Sequence, residues 1–149
     1  MEISAPYKIL LSHLDWNIRH LKEILKYPKT IYYRDASIQR FGFTFNLTLK
    51  CLKTRIAKSS RVYSETEDWF LAAKEVGLLK DVGEWKLVID DHNRIKDGFN
   101  NEEGESVYFN LKQHLILFEK LLGNLCLQDS TPAKRESLNE NVEEFNEDS

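Results

Sequence analysis

Cysteine is scarce in this chain: only Cys51 and Cys126 occur, far apart and without the spacing of a metal-ligand pair. That argues against a disulfide framework or a zinc site and points to idle thiols in a reducing cytoplasm. Proline and glycine are few as well, three and six residues, which leaves room for long uninterrupted helices. No apolar run approaches the roughly 20 residues of a membrane span. The N-terminus also lacks the cationic and apolar regions of a signal peptide. The expected location is therefore the cytoplasm, away from membranes. Common catalytic signatures are missing too: no phosphate-binding G-x-x-x-x-G-K-S/T loop, G-x-G-x-x-G turn, H-E-x-x-H, C-x-x-C or G-x-S-x-G elbow occurs. No cofactor or metal is expected on these grounds, and a self-sufficient enzyme is disfavoured.

What is present is a mixture of 42% apolar and 30% charged residues, enough for one domain with a real core. The net charge of −3 is unevenly spread. From Gln128 onward, seven acids (Asp129, Glu136, Glu140, Glu143, Glu144, Glu147, Asp148) stand against Lys134 and Arg135, a net of −5. Residues 1–127 therefore carry about +2 and no overall basic field for nonspecific nucleic-acid binding. The expected organisation is a helical bundle over 1–127 and an acidic, disordered tail over 128–149. Val142 and Phe145 form a candidate pair for docking on a partner in an otherwise solvating segment.

The stretch from Tyr33 to Lys50 organises the rest. Ile38, Phe41, Phe45, Leu49, Leu52 and Ile56 recur at the steps of one helix face, and Phe43 with Leu47 forms a second apolar line. A helix apolar on two sides is expected to be central, covered by several neighbours or by a subunit interface. Its first turns carry Arg34, Asp35, Gln39 and Arg40, readable either as a solvated cap or as a ligand- or partner-facing cluster.

Four further helices are expected. The first, over 7–27, carries the stripe Leu11, Leu14, Ile18, Leu21, Leu25 and stops at Pro28. The central helix should run to about Lys58, with Ser59-Ser60-Arg61 breaking the pattern. Ser64 with Glu67 reads as a capping box for a third helix, and Gly77 suits its C-terminal stop. Asp81 with Glu84 opens a fourth, with the face Trp85, Val88, His92, Ile95. Asn100 with Glu103 caps a fifth, striped by Val107, Leu111, Leu115, Phe118, Leu122 and Leu125. Short links favour antiparallel neighbours, hence an all-α, up-and-down bundle of four to five helices.

The polar run Asp90–Asn100 places His92 on the inward stripe. It reads either as a satisfied core histidine or as a proton-exchanging group oriented by Asp97 or Asp91, with Asn93 beside it. Five residues of helix turn His92 and Asp97 well apart, so their pairing requires the helix to fray at Gly98. His13, His20 and His114 fall on separate helices without metal-pair spacing.

Three segments carry a resemblance. Tyr33-Arg34-Asp35-Ala36-Ser37-Ile38-Gln39-Arg40-Phe41-x-Phe43-Thr44-Phe45, then Gly77-Leu78-Leu79 followed by Glu84-Trp85, then Asp91-x-Asn93, occur in this order. The chain over roughly 7–125 thereby resembles the nucleotidyltransferase substrate-binding protein family of the HEPN superfamily. The resemblance implies a helical bundle that pairs with a second copy and associates with a minimal nucleotidyltransferase, with nucleotide or RNA as a further ligand. Many HEPN relatives are ribonucleases with an Arg-x4–6-His motif. In some toxin–antitoxin pairs the nucleotidyltransferase adds AMP to a tyrosine two residues past that histidine.

The family's Arg-Asn-x-x-x-His-x-Tyr is replaced here by His92, Asn93, Asp97 and Phe99. Gly42 and Asn46 stand where acids are usual, and Leu49 where tryptophan is. Asp97 opposes a phosphate, and Phe99 has no hydroxyl to accept AMP. The expectation is therefore a noncatalytic partner or substrate-binding subunit contacting its ligand through Arg34, Asp35, Gln39, Arg40, His92 and Asn93. The alternative is a divergent ribonuclease using His92 and Asp97 with Arg94 as the cation.

Overall fold

The computed structural model describes residues 5–56 and 63–128. Five helices occupy them: α1 Ala5–Ile24, α2 Ile31–Ile56, α3 Thr66–Glu75, α4 Val82–Ile95 and α5 Asn101–Gln128. No strand occurs among the described residues, and no helix is long and apolar enough to cross a membrane. The expected end of the central helix near Lys58, the break at 59–61 and the tail from 129 lie outside the described residues.

Cross-helix contacts fix the directions. Lys22 meets Glu119, while Lys29, just past the end of α1, meets Glu105, so α1 and α5 are antiparallel. Asp91 meets His114 and Arg94 meets Ser106, so α4 and α5 are antiparallel as well. Arg34 reaches Asn101 and Phe41 packs on Phe118, so α2 and α5 run the same way, across the diagonal. This is an up-and-down bundle of α1, α2, α4 and α5, with the short α3 laid against α2 and α4.

Helix α2 touches each of the other four, as its two apolar lines suggested. Ile38, Phe41, Phe45, Leu52 and Ile56 are buried on it. Phe41 and Phe45 join Phe70, Trp85 and Phe118 in one aromatic core, each such side chain contributing about 1.5–3 kcal/mol on burial. The second line is covered only in part: Leu47 is half-buried and Phe43 is exposed.

The helix ends obey local rules with two corrections. α1 stops at Ile24, three residues short of Tyr27, because its last amides tighten onto carbonyls three residues back (Lys26 to Glu23, Tyr27 to Ile24). α3 begins one residue later than expected: Glu65 is its N-cap and makes no side-chain capping bond, so the Ser64–Glu67 box does not form. Its other end fits the expectation. Gly77 has φ +81°, with Gly77 N–H bonded to Lys74 and Leu78 N–H to Ala73, a left-handed stop that glycine adopts without strain. Asp81 caps α4 through Gly83 N–H at 2.9 Å. The Asn100–Glu103 box of α5 forms in both directions, at 2.9 and 2.8 Å.

Candidate functional site

The start of α2, the end of α4 and the start of α5 meet at one end of the bundle. Arg34 lies there with only 5% of its surface exposed. Burying a guanidinium is costly unless its donors are satisfied, and here they are. Nη2 pairs with Asp35 at 2.9 Å, and Nη1 with Asn101 Oδ1 at 2.5 Å and Glu105 Oε2 at 3.1 Å. Lys29, from the α1–α2 link, donates to the other oxygen of Glu105. The hydrogen bond from Lys29, then that from Arg34, holds the Glu105 carboxyl below its usual range. The bond to Glu105 raises Arg34, against the opposing effect of burial.

Gly104 makes this approach possible. A Cβ there would meet the Phe99 ring at 3.1 Å and Arg34 Cζ at 3.3 Å, so both side chains close onto the bare backbone of α5. The result is a shallow open groove of about 440 Å³ lined by Lys29, Thr30, Ile31, Arg34, Asn101 and Glu105. Apolar side chains stand exposed around it: Ile31 at 70%, Tyr32 at 74% and, one turn beyond Glu105 on the same face of α5, Phe109 at 82%.

The other expected site residues fall elsewhere. Arg40 is half-buried at the α1–α2 seam, donating to Asn17 Oδ1 at 2.7 Å. Its guanidinium lies 5.2 Å from the Trp16 ring centroid and 5.5 Å from that of Phe43. Gln39 is exposed one position before it. His92 stacks on Phe45 with centroids 4.0 Å apart. Burial, and then the charge of Lys96, lower its pKa from 6.5, so the ring is mainly neutral at pH 7. Asn93 and Asp97 are exposed on either side of this turn.

The six candidates are therefore not gathered in one site: Arg34 lines the groove with Asp35 paired to it, Arg40 lies at the α1–α2 seam, His92 stacks on α2, and Gln39 and Asn93 are exposed. No hydrogen bond or ion pair joins His92 to Asp97 among the described residues. Arg94 instead donates to Ser106 at 2.9 Å and lies 3.6 Å from Asp91.

The buried polar centre is Asp91, which the sequence left as one option for orienting His92. It faces the other way. Oδ2 accepts from Asn110 Nδ2 at 3.0 Å and lies 2.7 Å from His114 Nε2, with Asp91 and His114 both buried. A signal was present in the spacing, since Val88, Asp91 and Ile95 follow the same helical steps as Val88, His92 and Ile95. Among the described residues no group of three or more His, Cys, Asp or Glu side chains is arranged to hold a metal ion.

Residues 10–126 match the sequence model of the family described as nucleotidyltransferase substrate binding protein like. No curated protein sequence matches the chain. The fold is similar to the crystal structure of a protein designated ttk003001694 from Thermus thermophilus, with 27% identity and a TM-score of 0.67. The alignment covers 75% of this chain and 98% of that one.

Proposed function

This chain belongs to the nucleotidyltransferase substrate-binding-like family, and on that premise we propose that it is a noncatalytic helical subunit of a two-component system. Its partner is a minimal nucleotidyltransferase, bound through the end of the bundle around Arg34. The observation that carries this reading is the groove itself. A buried, fully paired guanidinium is a fixed element, and the exposed Ile31, Tyr32 and Phe109 around it make an apolar rim. Exposed aromatics beside a buried arginine have the composition of an interface centre. Lys29 and Arg34 are balanced by Asp35 and Glu105, which favours a protein surface over a free phosphate as the occupant.

The ribonuclease reading finds little support in the geometry. Acid–base cleavage needs a proton-exchanging histidine near a free cation. His92 is packed on Phe45, Arg94 is engaged by Ser106 and Asp91, and exposed Asp97 makes no hydrogen bond or ion pair with His92 among the described residues. Pairing with a second copy belongs to the same proposal and is read directly from the mass of the full chain in solution.

The deciding experiment is co-expression of the full chain with the small nucleotidyltransferase of the same host. Stoichiometric co-purification, weakened tenfold or more by Tyr32→Ala with Phe109→Ala, is the expected result. Absence of any complex, or RNA cleavage that His92→Ala abolishes, overturns the reading.

A further inference from the structure

The seam between α1 and α2 carries a cluster that the groove does not use. His20, Trp16, Arg40 and Phe43 run across it in contact: His20 and Trp16 ring centroids are 3.9 Å apart, and Arg40 lies against both Trp16 and Phe43. Trp16 is 50% exposed, and Phe43 is exposed as well. Arg40 has no carboxylate within ion-pair distance among the described residues. Arg19, Arg34 and Arg94, by contrast, each meet an aspartate. An arginine framed by two exposed aromatic rings and lacking a counter-ion fits a carboxylate that arrives beside an apolar side chain.

The chain contains such a segment. Glu143-Glu144-Phe145-Asn146-Glu147-Asp148 sets one aromatic among four acids, within a stretch whose net charge is −5. It is tethered on the side of α1, because α5 packs antiparallel against α1, with Lys22 meeting Glu119, and the last turns of α5 continue from there along the part of α1 that carries Trp16. Phe145 stands 17 residues beyond Gln128. That length spans up to about 55 Å, several times the 8–10 Å between neighbouring helix axes.

We propose that the acidic C-terminal segment docks on this seam in the same molecule, with Phe145 against Trp16 and Phe43 and Glu143 or Glu144 on Arg40. Tethering makes a weak contact sufficient. At an effective concentration on the order of 1 mM, an intrinsic Kd on the order of 1 mM leaves the segment bound about half the time. A nucleobase is the poorer occupant, since the body has no basic field to hold the phosphate that accompanies it. This inference stands whether or not a nucleotidyltransferase is the partner.

The test uses the full chain, ¹⁵N-labelled, with and without Glu143→Gln, Glu144→Gln and Phe145→Ala together; none of these is a residue of the five helices. The Trp16 indole resonance and the amides of Arg40 and Phe43 should move, while the indoles of the buried Trp69 and Trp85 should not. The displacement should be independent of protein concentration, largely lost near 1 M salt, where the Debye length is about 3 Å, and absent in an Arg40→Gln background. An unmoved Trp16 indole overturns the proposal. A displacement seen only at high protein concentration overturns it too, since it assigns the seam to the tail of a second copy.

Discussion

His114 Nε2 lies 2.7 Å from Asp91 Oδ2 in the interior between α4 and α5, with both side chains buried. A carboxylate can only accept, so the imidazole nitrogen facing it carries the proton. Phe41 stacks on the other part of the ring, its centroid 5.3 Å away, and locks the orientation. Among the described residues Asp91 Oδ1 has no hydrogen bond of its own, and Arg94 lies 3.6 Å from it. The pair is therefore poorly placed to lose either member.

Removing one partner should cost more than removing both. His114→Leu leaves a buried carboxylate facing a methyl group, and a loss of about 3–5 kcal/mol is expected. The double variant Asp91→Leu/His114→Leu should recover most of that loss, because no charge is then stranded. Urea denaturation of the wild type, the two single variants Asp91→Leu and His114→Leu, and the double variant gives the coupling directly. Additive losses would mean that the pair is not the clamp between α4 and α5.

Two glycines on α5 should respond oppositely to alanine. Gly104→Ala pushes into Phe99 and Arg34, so a destabilisation of about 1–3 kcal/mol is expected, together with disruption of the Arg34–Glu105 contact. Gly123 has nothing within 4 Å of its Cβ position. There alanine should stabilise the helix by about 0.5–1 kcal/mol. Denaturation midpoints moving apart in these directions are the check.

Stability should fall on acidification partly through His92. Its pKa is lowered in the folded state, so between the folded and unfolded values the unfolded chain binds more protons and stability rises with pH. The contribution is intact above the unfolded value of 6.5 and is lost as pH drops below it. His92→Phe keeps a ring on Phe45 and removes the titration. The stability difference between pH 7.5 and pH 5.5 should be smaller in this variant than in the wild type.

Both thiols should resist modification while the bundle is folded. Burial pushes Cys51 up to about 12 and Cys126 up to about 11. At pH 8 neither is appreciably thiolate, the reactive form. Labelling with a disulfide reagent should be slow in buffer, with half-buried Cys126 ahead of buried Cys51, and fast for both in denaturant.

Where the argument needed only one helix, the sequence was a good guide. The apolar steps of α2, the Gly77 stop and the reciprocal Asn100–Glu103 cap are local, and each is present in the fold. Ser64 misled because a cap is decided by where the first helical turn closes, and here it closes after Glu65. Of the six candidates only Arg34 lines the groove among the described residues, and part of the remaining lining comes from α5, in Asn101 and Glu105. A pairing across 71 residues leaves no periodic trace in a sequence. Asp91 was hidden differently, as one polar residue among five in a row, with its partner 23 positions away.

The central position of α2 also bears on how the molecule comes apart. Helices α1 and α3 do not touch each other, nor do α1 and α4, so their mutual placement passes through α2 and α5. Fraying α2 from its N-terminus releases the Arg34 groove first, and fraying it from its C-terminus releases the seat of α3. No cut along the chain divides the bundle into two halves that each keep an intact core. The bundle is therefore expected to unfold as one cooperative unit, with the loss of α2 carrying the other helices with it.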